Sequence, residues 1–190
     1  MKKQITAIVM CSGLSKRMGL NKLLMDFKGK RMFEYIIDTV NASGFNKIVV
    51  VTSYDEIALY VKGNTVIYND KNHLGMSQSI ILGVENAGIC DGMMFFNCDE
   101  PKLSVCTVKR LIDAFDDNDK IIIPKVENNY KNPVIFPIRY KYALLSLSGE
   151  EGGSKVYKQN KDDIFEVCFD DDIAFKDIDV PEDFDSFINS

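Results

Sequence analysis

The chain has 190 residues, with 23 basic and 28 acidic side chains, a single histidine and a formal charge of −5. That length can bury a core without disulfide or metal staples, and the charge excludes a global basic field of the kind that holds nucleic acid non-specifically. The five cysteines (Cys11, Cys90, Cys98, Cys106, Cys168) are scattered and lack Cys-x-x-Cys spacing, which predicts a reduced, cytoplasmic protein whose thiols are mostly small core residues.

The start, MKKQITAIVMCSG, has two lysines and an apolar run. The run is too short for a signal peptide, and no stretch approaches the roughly 20 apolar residues of a membrane span. A soluble protein without a membrane partner is expected. Apolar runs rich in branched residues recur at 5–10, 47–52, 65–68, 92–97, 120–123, 132–136 and 165–169, predicting seven strands. Helical spacing puts Met32, Phe33, Ile36, Ile37 and Val40 on one face, then Ile80, Ile81 and Val84, then Val108, Leu111, Ile112 and Phe115. This alternation predicts an α/β fold over 1–190 as one domain, with a mixed, mostly parallel sheet flanked by helices. The stretch ENNYKNPVIFPIRY has two prolines and mixed polarity, and reads as an inserted or antiparallel edge element beside a binding surface. The acidic clusters FDDNDK and FDDDIAF read as solvated turns.

Residues 11–24 read CSGLSKRMGLNKLL. Gly13 and Gly19 permit positive φ and close backbone approach to an anion; Lys16, Arg17 and Lys22 add charge, Arg17 as a fork and Lys22 as a point. The loop fits neither G-x-G-x-x-G nor G-x-x-x-x-G-K-[ST]. In isolation it reads as a solvated surface loop, but its place after the first strand favours a ligand, since α/β sheets bind ligands beyond the carboxyl ends of their strands.

Further along, NHLGMSQSIILGV puts Gly75, Met76 and Ser79 at a helix start, able to read a base or ribose or simply to enter a helix capped by Ser77. GMMFFNCDEP ends an apolar strand in Asp99, either a turn or cap residue or one carboxylate of a cation site. LSGEEGGSKVYKQN sets Gly149, Gly152 and Gly153 before another helix, a second anion seat or an entry capped by Ser154. In KDIDVPEDFDSF, Asp177 and Asp179 precede a Pro-Glu-Asp helix start. Two carboxylates converging with phosphate oxygens make a typical Mg²⁺ site. One histidine, His73, read as a loop residue, leaves no Ser-His-Asp or Cys-His arrangement and no zinc spacing. Chemistry by positioning and charge, such as phosphoryl or nucleotidyl transfer, is what remains.

Taken together, these stretches resemble the nucleotidyltransferases of the molybdenum cofactor family, the MobA-like NTP transferases. CSGLSKRMGLNKLL is similar to L-A-A-G-x-S-x-R-M-G-x-x-K-x-L, GMSQSIILGV to G-M-x-x-S-x-x-x-G, NCDEP to G-D-x-P, NPVIF to G-H-P-V-x-F, LSGEEGGSKVY to L-x-G-D-x-G-A, and DIDVPEDF to D-I-D-T-P-E-D-L. The resemblance implies a Rossmann-like nucleotidyltransferase fold and transfer of a nucleotide to the terminal phosphate of molybdopterin or molybdenum cofactor, releasing pyrophosphate, with a molybdenum hydroxylase as eventual client. It implies a nucleotide site of Cys11, Ser12, Gly13, Ser15, Arg17, Lys22, Gly75, Met76 and Ser79. Arg17, Lys22 and Asp99 become catalytic, Asp99 with Asp177 or Asp179 holds Mg²⁺, and Asn132, Pro133, Gly149, Gly152 and Gly153 face the acceptor. The N-K-L-L and G-M-x-x-S elements side with the cytidylyl branch and CTP. Ser12, Cys98 and Asn132 depart from the family pattern, Asn132 standing where the family has His. The rival readings are a cytidylyl- or sugar-nucleotidyltransferase on another phosphorylated acceptor, and a non-catalytic nucleotide- or cofactor-binding accessory of a molybdenum hydroxylase.

Overall fold

The computed structural model describes residues 2–13, 21–61 and 63–178, with Phe27 described for its backbone only. Arg17, Ser15, Lys16, Gly19 and Asp179 lie outside the described residues, as does the expected Pro-Glu-Asp helix start.

The chain opens on β1 (Ile5–Cys11), apolar but for Thr6 and buried but for the half-buried Met10. A 3-10 turn over Lys22–Leu24 and a small antiparallel ribbon, β2 (Asp26–Phe27) with β3 (Lys30–Arg31), lead into α1 (Met32–Ala42). The five apolar residues expected on one face of α1 are all buried. Then come β4 (Lys47–Thr52), α2 (Asp55–Tyr60), β5 (Thr65–Tyr68), α3 (Met76–Glu85), β6 (Gly92–Asn97) and α4 (Val105–Asn118). The described chain closes with β7 (Ile121–Val126), β8 (Asn129–Tyr130), β9 (Val134–Pro137), α5 (Lys141–Leu145), α6 (Gly153–Gln159) and β10 (Ile164–Phe169).

The main sheet runs β10-β7-β9-β6-β1-β4-β5, with β8 paired to β7. All pairs on this path are parallel except those of β9, which opposes both β6 and β7. The two-residue period of a strand divides the core. Ile5, Ala7, Val9 and Cys11 pack with α1 and α4 on one face, whereas Ile8 packs with α3, α5 and α6 on the other. With both faces covered, the central strands have no reason to alternate in polarity. On the second face α3 lies so close that a Cβ on Gly83 would collide with the Ile8 side chain.

Four sequence expectations need correction. The segment read as an inserted or antiparallel edge element, β9, is antiparallel and inserted between β6 and β7, and does not lie at an edge. All four of its residues are buried, and its two prolines stand just before it and at its last position, where few ladder hydrogen bonds are lost. The first acidic cluster is mostly the end of α4, which runs to Asn118, and Asp116 there accepts the Lys3 N–H at 2.8 Å. Neither Ser77 nor Ser154 caps its helix: Gly75 and Gly152 occupy those cap positions, without side-chain hydrogen bonds. Finally, Cys11 and Cys98 are joined in a disulfide, Cα atoms 5.4 Å apart. Parallel register pairs Met10 with Asn97, so Cys11, the last residue of β1, meets Cys98, the first residue past β6, although 87 positions separate them. Of the free thiols only Cys90 is buried; Cys106 and Cys168 are exposed. Among the described residues no helix is long and apolar enough to cross a membrane.

Candidate active site

β1 is flanked by β4 on one side and β6 on the other, so the chain leaves it in one direction and returns on the other. A crevice forms at the carboxyl ends of strands at such a reversal. Cys11, Ser12 and Gly13 leave β1 there, and Cys98, Asp99 and Glu100 leave β6 beside them.

The first loop is held by its carbonyls. Thr52 Oγ1 donates to the Cys11 carbonyl at 3.2 Å, Asn72 Nδ2 to that of Ser12 at 3.2 Å, and the Tyr54 hydroxyl to that of Gly13 at 2.6 Å. Ser12 is buried and turns its hydroxyl to the Val51 carbonyl at 3.1 Å. Three successive carbonyls are thereby tied to β4 and the segments beyond it. A bound anion would be met by the loop's N–H groups. With its sulfur bonded to Cys98 and no exposed surface, Cys11 has only its backbone to offer a nucleotide.

Lys22 enters from the 3-10 turn, whose start is capped by Asn21 accepting the Leu23 N–H at 3.2 Å. Lys22 is only 9% exposed and Glu100 4%, and these are the buried charged side chains among the described residues. Lys22 Nζ donates to Asp99 Oδ2 and to the Ile178 carbonyl, both at 2.9 Å, while the Ile178 N–H donates to the Asp99 carbonyl at 3.0 Å. The segment carrying Asp177 is thus fastened to the Asp99 turn. Burial and then the charge of Asp99 push the Glu100 carboxyl up to about 8, with Asp177 adding to the effect and the amides of Asn97 and Asn132 opposing it.

Asp99 Oδ1 is buried without a hydrogen-bond partner. The neighbouring Glu100 carboxyl feels the charges of both Asp99 and Asp177, and Lys22 is paired with the other oxygen of Asp99. An orphaned buried carboxylate oxygen fits a hard divalent ion. Among the described residues no three His, Cys, Asp or Glu side chains are grouped so as to hold a metal ion by themselves.

The segments expected to meet nucleoside and acceptor interlock. Gly75 has φ +108°, and a Cβ there would collide with the Gly149 carbonyl. The Ser77 N–H donates to that carbonyl at 3.1 Å and the Met76 N–H to Glu150 Oε2 at 3.3 Å. A Cβ on Gly152 would lie 3.0 Å from Met76 Sδ, and one on Gly153 would lie 3.0 Å from the Phe136 ring. Met76 is exposed, whereas Ser79 is turned inward, its hydroxyl accepting from the buried Asn69 amide at 3.0 Å. Asn132 is half-buried, and its peptide to the buried Pro133 is cis. His73 is an exposed residue of a 3-10 turn.

The structure therefore brings Gly13, Lys22, Asp99 and Asp177 to one edge and joins Gly75 and Met76 to Gly149 and Gly152. Ser12 and Ser79 serve as internal braces. Sequence reading missed Thr52, Tyr54, Asn72, Glu150 and Glu100. Asn72, Glu100 and Glu150 stood inside the quoted stretches NHLGMSQSIILGV, NCDEP and LSGEEGGSKVY, whereas Thr52 and Tyr54 left no trace.

A family model described as the MobA-like NTP transferase domain matches residues 7–164. A protein of Natranaerobius thermophilus named probable molybdenum cofactor guanylyltransferase is 29% identical over 135 residues, 69% of this chain and 65% of its own length. The molybdenum cofactor guanylyltransferase of Shewanella frigidimarina is 24% identical over 188 residues, 96% of this chain and 94% of its own. Rv0371c from Mycobacterium tuberculosis H37Rv superposes with a TM-score of 0.84 at 20% identity, covering 98% of this chain and 99% of that one. It was also solved as a complex with manganese, at a TM-score of 0.82 and 18% identity over the same shares. This structural likeness extends to the fold.

Proposed function

The chain belongs to the MobA-like NTP transferase domain family, a family of nucleotidyltransferases, and on that premise we propose that it transfers a nucleotide from an NTP to the terminal phosphate of molybdopterin or molybdenum cofactor, releasing pyrophosphate. The observation that carries the proposal is the meeting of the pinned 11–13 loop with the Lys22–Asp99 pair and the orphaned Asp99 Oδ1 at one edge of the sheet.

A phosphate monoester carries about −1.5 to −2 charges near neutral pH, so its oxygen attacks without a protein base. A bond forms from that oxygen to the α-phosphorus while the bond from the α-phosphorus to the departing pyrophosphate breaks. The protein aligns the two phosphates and offsets the charge that grows on the leaving group. The N–H groups at 12–13, with Arg17 as the sequence places it, hold the triphosphate. Lys22 sits where its charge reaches both Asp99 and that phosphate chain. Gly75 and Met76 face the nucleoside, while Asn132, Pro133, Gly149, Gly152 and Gly153 face the acceptor. Asp99, with Asp177 or Asp179, would hold Mg²⁺, which when bound supplies Lewis-acid charge to the phosphate oxygens.

For the nucleotide, the N-K-L-L and G-M-x-x-S elements favour CTP. The names of the guanylyl relatives support GTP as a second reading. We place the reaction in the cytoplasm, and a molybdenum hydroxylase as the recipient of the product. The test is pyrophosphate release with Mg²⁺ from CTP, GTP, ATP and UTP, each with and without intact molybdenum cofactor. Cofactor-dependent release is the expected result, and its absence with all four nucleotides would refute the acceptor.

A further inference from the structure

The crevice has two walls, each held on its own side of the sheet. Thr52, Tyr54 and Asn72 tie the 11–13 loop to β4 and the segments beyond it, while Lys22 and Ile178 hold the Asp99 turn. The ladder between β1 and β6 ends at Met10 and Asn97. One residue further on, the walls are joined through sulfur by Cys11 and Cys98. The bond lies at the floor of the crevice, with Ser12 and Gly13 following one sulfur and Asp99 the other.

Both cysteines depart from the family pattern: Cys11 stands where L-A-A-G has its first Ala, and Cys98 where G-D-x-P has Gly. Neither Ala nor Gly can make such a link, so the floor of this chain has a covalent state that the pattern lacks.

A metal-bound triphosphate has to touch both walls at once, its oxygens on the N–H groups at 12–13 and its ion on Asp99 Oδ1. The distance between the walls therefore decides how well both contacts are made. Joined sulfurs fix that distance. Two thiols cannot stay at bonding distance and move apart to van der Waals contact. At 0% and 2% exposure, Cys11 and Cys98 are packed so closely that the movement passes to the main chain.

We infer that Cys11 and Cys98 are a thiol–disulfide modification site that sets the affinity of this edge for a metal-bound triphosphate. The disulfide form binds more tightly, because its walls are spaced in advance. The inference rests on the nucleotidyltransferase reading and adds a redox control to it. The co-reactant is a small thiol–disulfide couple of the glutathione type. One protein thiolate attacks the small disulfide and releases a small thiol; the second attacks the mixed disulfide and releases another. Two protein S–H groups and one small S–S bond become one protein S–S bond and two small thiols, so the protein loses two electrons and the couple gains them. By reciprocity, whatever factor the bond adds to nucleotide affinity, bound nucleotide adds to the stability of the bond.

The test equilibrates the full chain at stepped ratios of glutathione to glutathione disulfide, from the reduced and from the oxidised end, with and without Mg²⁺ and each of CTP, GTP, ATP and UTP. Acid quench, alkylation and peptide mapping then read the bond: all five cysteines should be alkylated in the reduced chain, and Cys90, Cys106 and Cys168 alone in the oxidised one. Calorimetry on the two end states should give a Kd for the Mg²⁺-nucleotide about five- to tenfold lower in the disulfide form, the worth of about one hydrogen bond. Saturating nucleotide should raise by the same factor the value of [GSH]²/[GSSG] at which half of the chains hold the bond. The variant Cys11→Ala/Cys98→Gly should bind nucleotide with one affinity in every buffer.

Equal affinity in the two states overturns the inference. So does a half-point that nucleotide leaves unmoved, a bond between other cysteines, or a double variant whose affinity still follows the buffer. A Cys11–Cys98 bond that no ratio opens is a fixed staple and overturns the control as well. Wild type that binds none of the four nucleotides in either state sinks the nucleotidyltransferase reading, and the inference falls with it.

Discussion

Replacing Glu100 by Gln exchanges a buried carboxyl for a neutral group of the same shape, and the effect should depend on pH with a definite sign. In the folded protein burial and the Asp99 charge raise this carboxyl from 4.5 to about 8, with Asp177 also raising it and the Asn97 and Asn132 amides lowering it. Between those values the folded state holds a proton that the unfolded chain has released, so the unfolding free energy falls as pH rises. The stabilisation is fully present below about 4.5 and is lost as pH climbs through about 8. At about 1.4 kcal/mol per pH unit the loss has a ceiling near 5 kcal/mol, which relaxation around the buried charge brings to roughly 2 kcal/mol. Glutamine has no such slope. Chelator-treated wild type and Glu100→Gln should melt together at pH 5, whereas at pH 8.5 the variant should melt higher by roughly 4–8 °C. Other titrating groups cancel in the difference, and a divalent ion should narrow it by favouring the ionised cluster. A gap that stays constant from pH 5 to 8.5 would refute the reasoning.

Asp99→Asn removes the charge that Lys22 meets at 2.9 Å; pyrophosphate release should fall more than about 100-fold while circular dichroism is unchanged, and near-wild-type turnover would exclude Asp99 from the chemistry. Lys22→Met keeps the apolar stem but leaves Asp99 and the Ile178 carbonyl without their donor; urea titration should show a loss of about 1–3 kcal/mol. Tyr54→Phe deletes only the hydroxyl that holds the Gly13 carbonyl; NTP KM should rise about three- to tenfold with acceptor KM unchanged, and equal effects on both would mean that the loop is not held this way. Gly75→Ala sets a methyl group against the Gly149 carbonyl at a φ of +108°; a melting temperature equal to wild type would contradict the interlock, since about 1–3 kcal/mol should be lost.

Much of the scaffold was legible because β1, β4 and β6 are buried on both faces and so stand out as unbroken apolar runs. Asp99 and the 11–13 loop were legible for a related reason: each begins where such a run stops. What could not be read is whatever depends on which strands become neighbours. The Cys11–Cys98 pairing follows from the register of β1 against β6, and no spacing along the chain encodes that register. The prolines of NPVIFP resemble an edge because proline usually marks one, yet here they bracket an interior strand. Ser79 looks like a ligand contact in sequence and Ser77 like a helix cap. Ser79 instead braces Asn69, and Ser77 lies buried behind a glycine cap. Thr52, Tyr54 and Asn72 act through main-chain carbonyls of another segment, a role that leaves no compositional mark. Glu100 was passed over because Asp99 beside it already explained the acidic turn.

The reversed direction of β9 has an evolutionary corollary. Every other strand on the main path of the sheet presents its final residue to the ligand edge, so altering what it offers there disturbs the start of the helix or loop that follows. β9 presents its beginning, Asn132 and Pro133, and what comes before them is the short hairpin of β7 and β8. That hairpin can lengthen, shorten or change its side chains without moving the parallel strands that hold the 11–13 loop and Asp99. If the proposed acceptor contacts at Asn132 and Pro133 hold, a chain built this way can change what it accepts there without disturbing the opposite strands, and lineages of this fold should diversify first at the turn between β7 and β9.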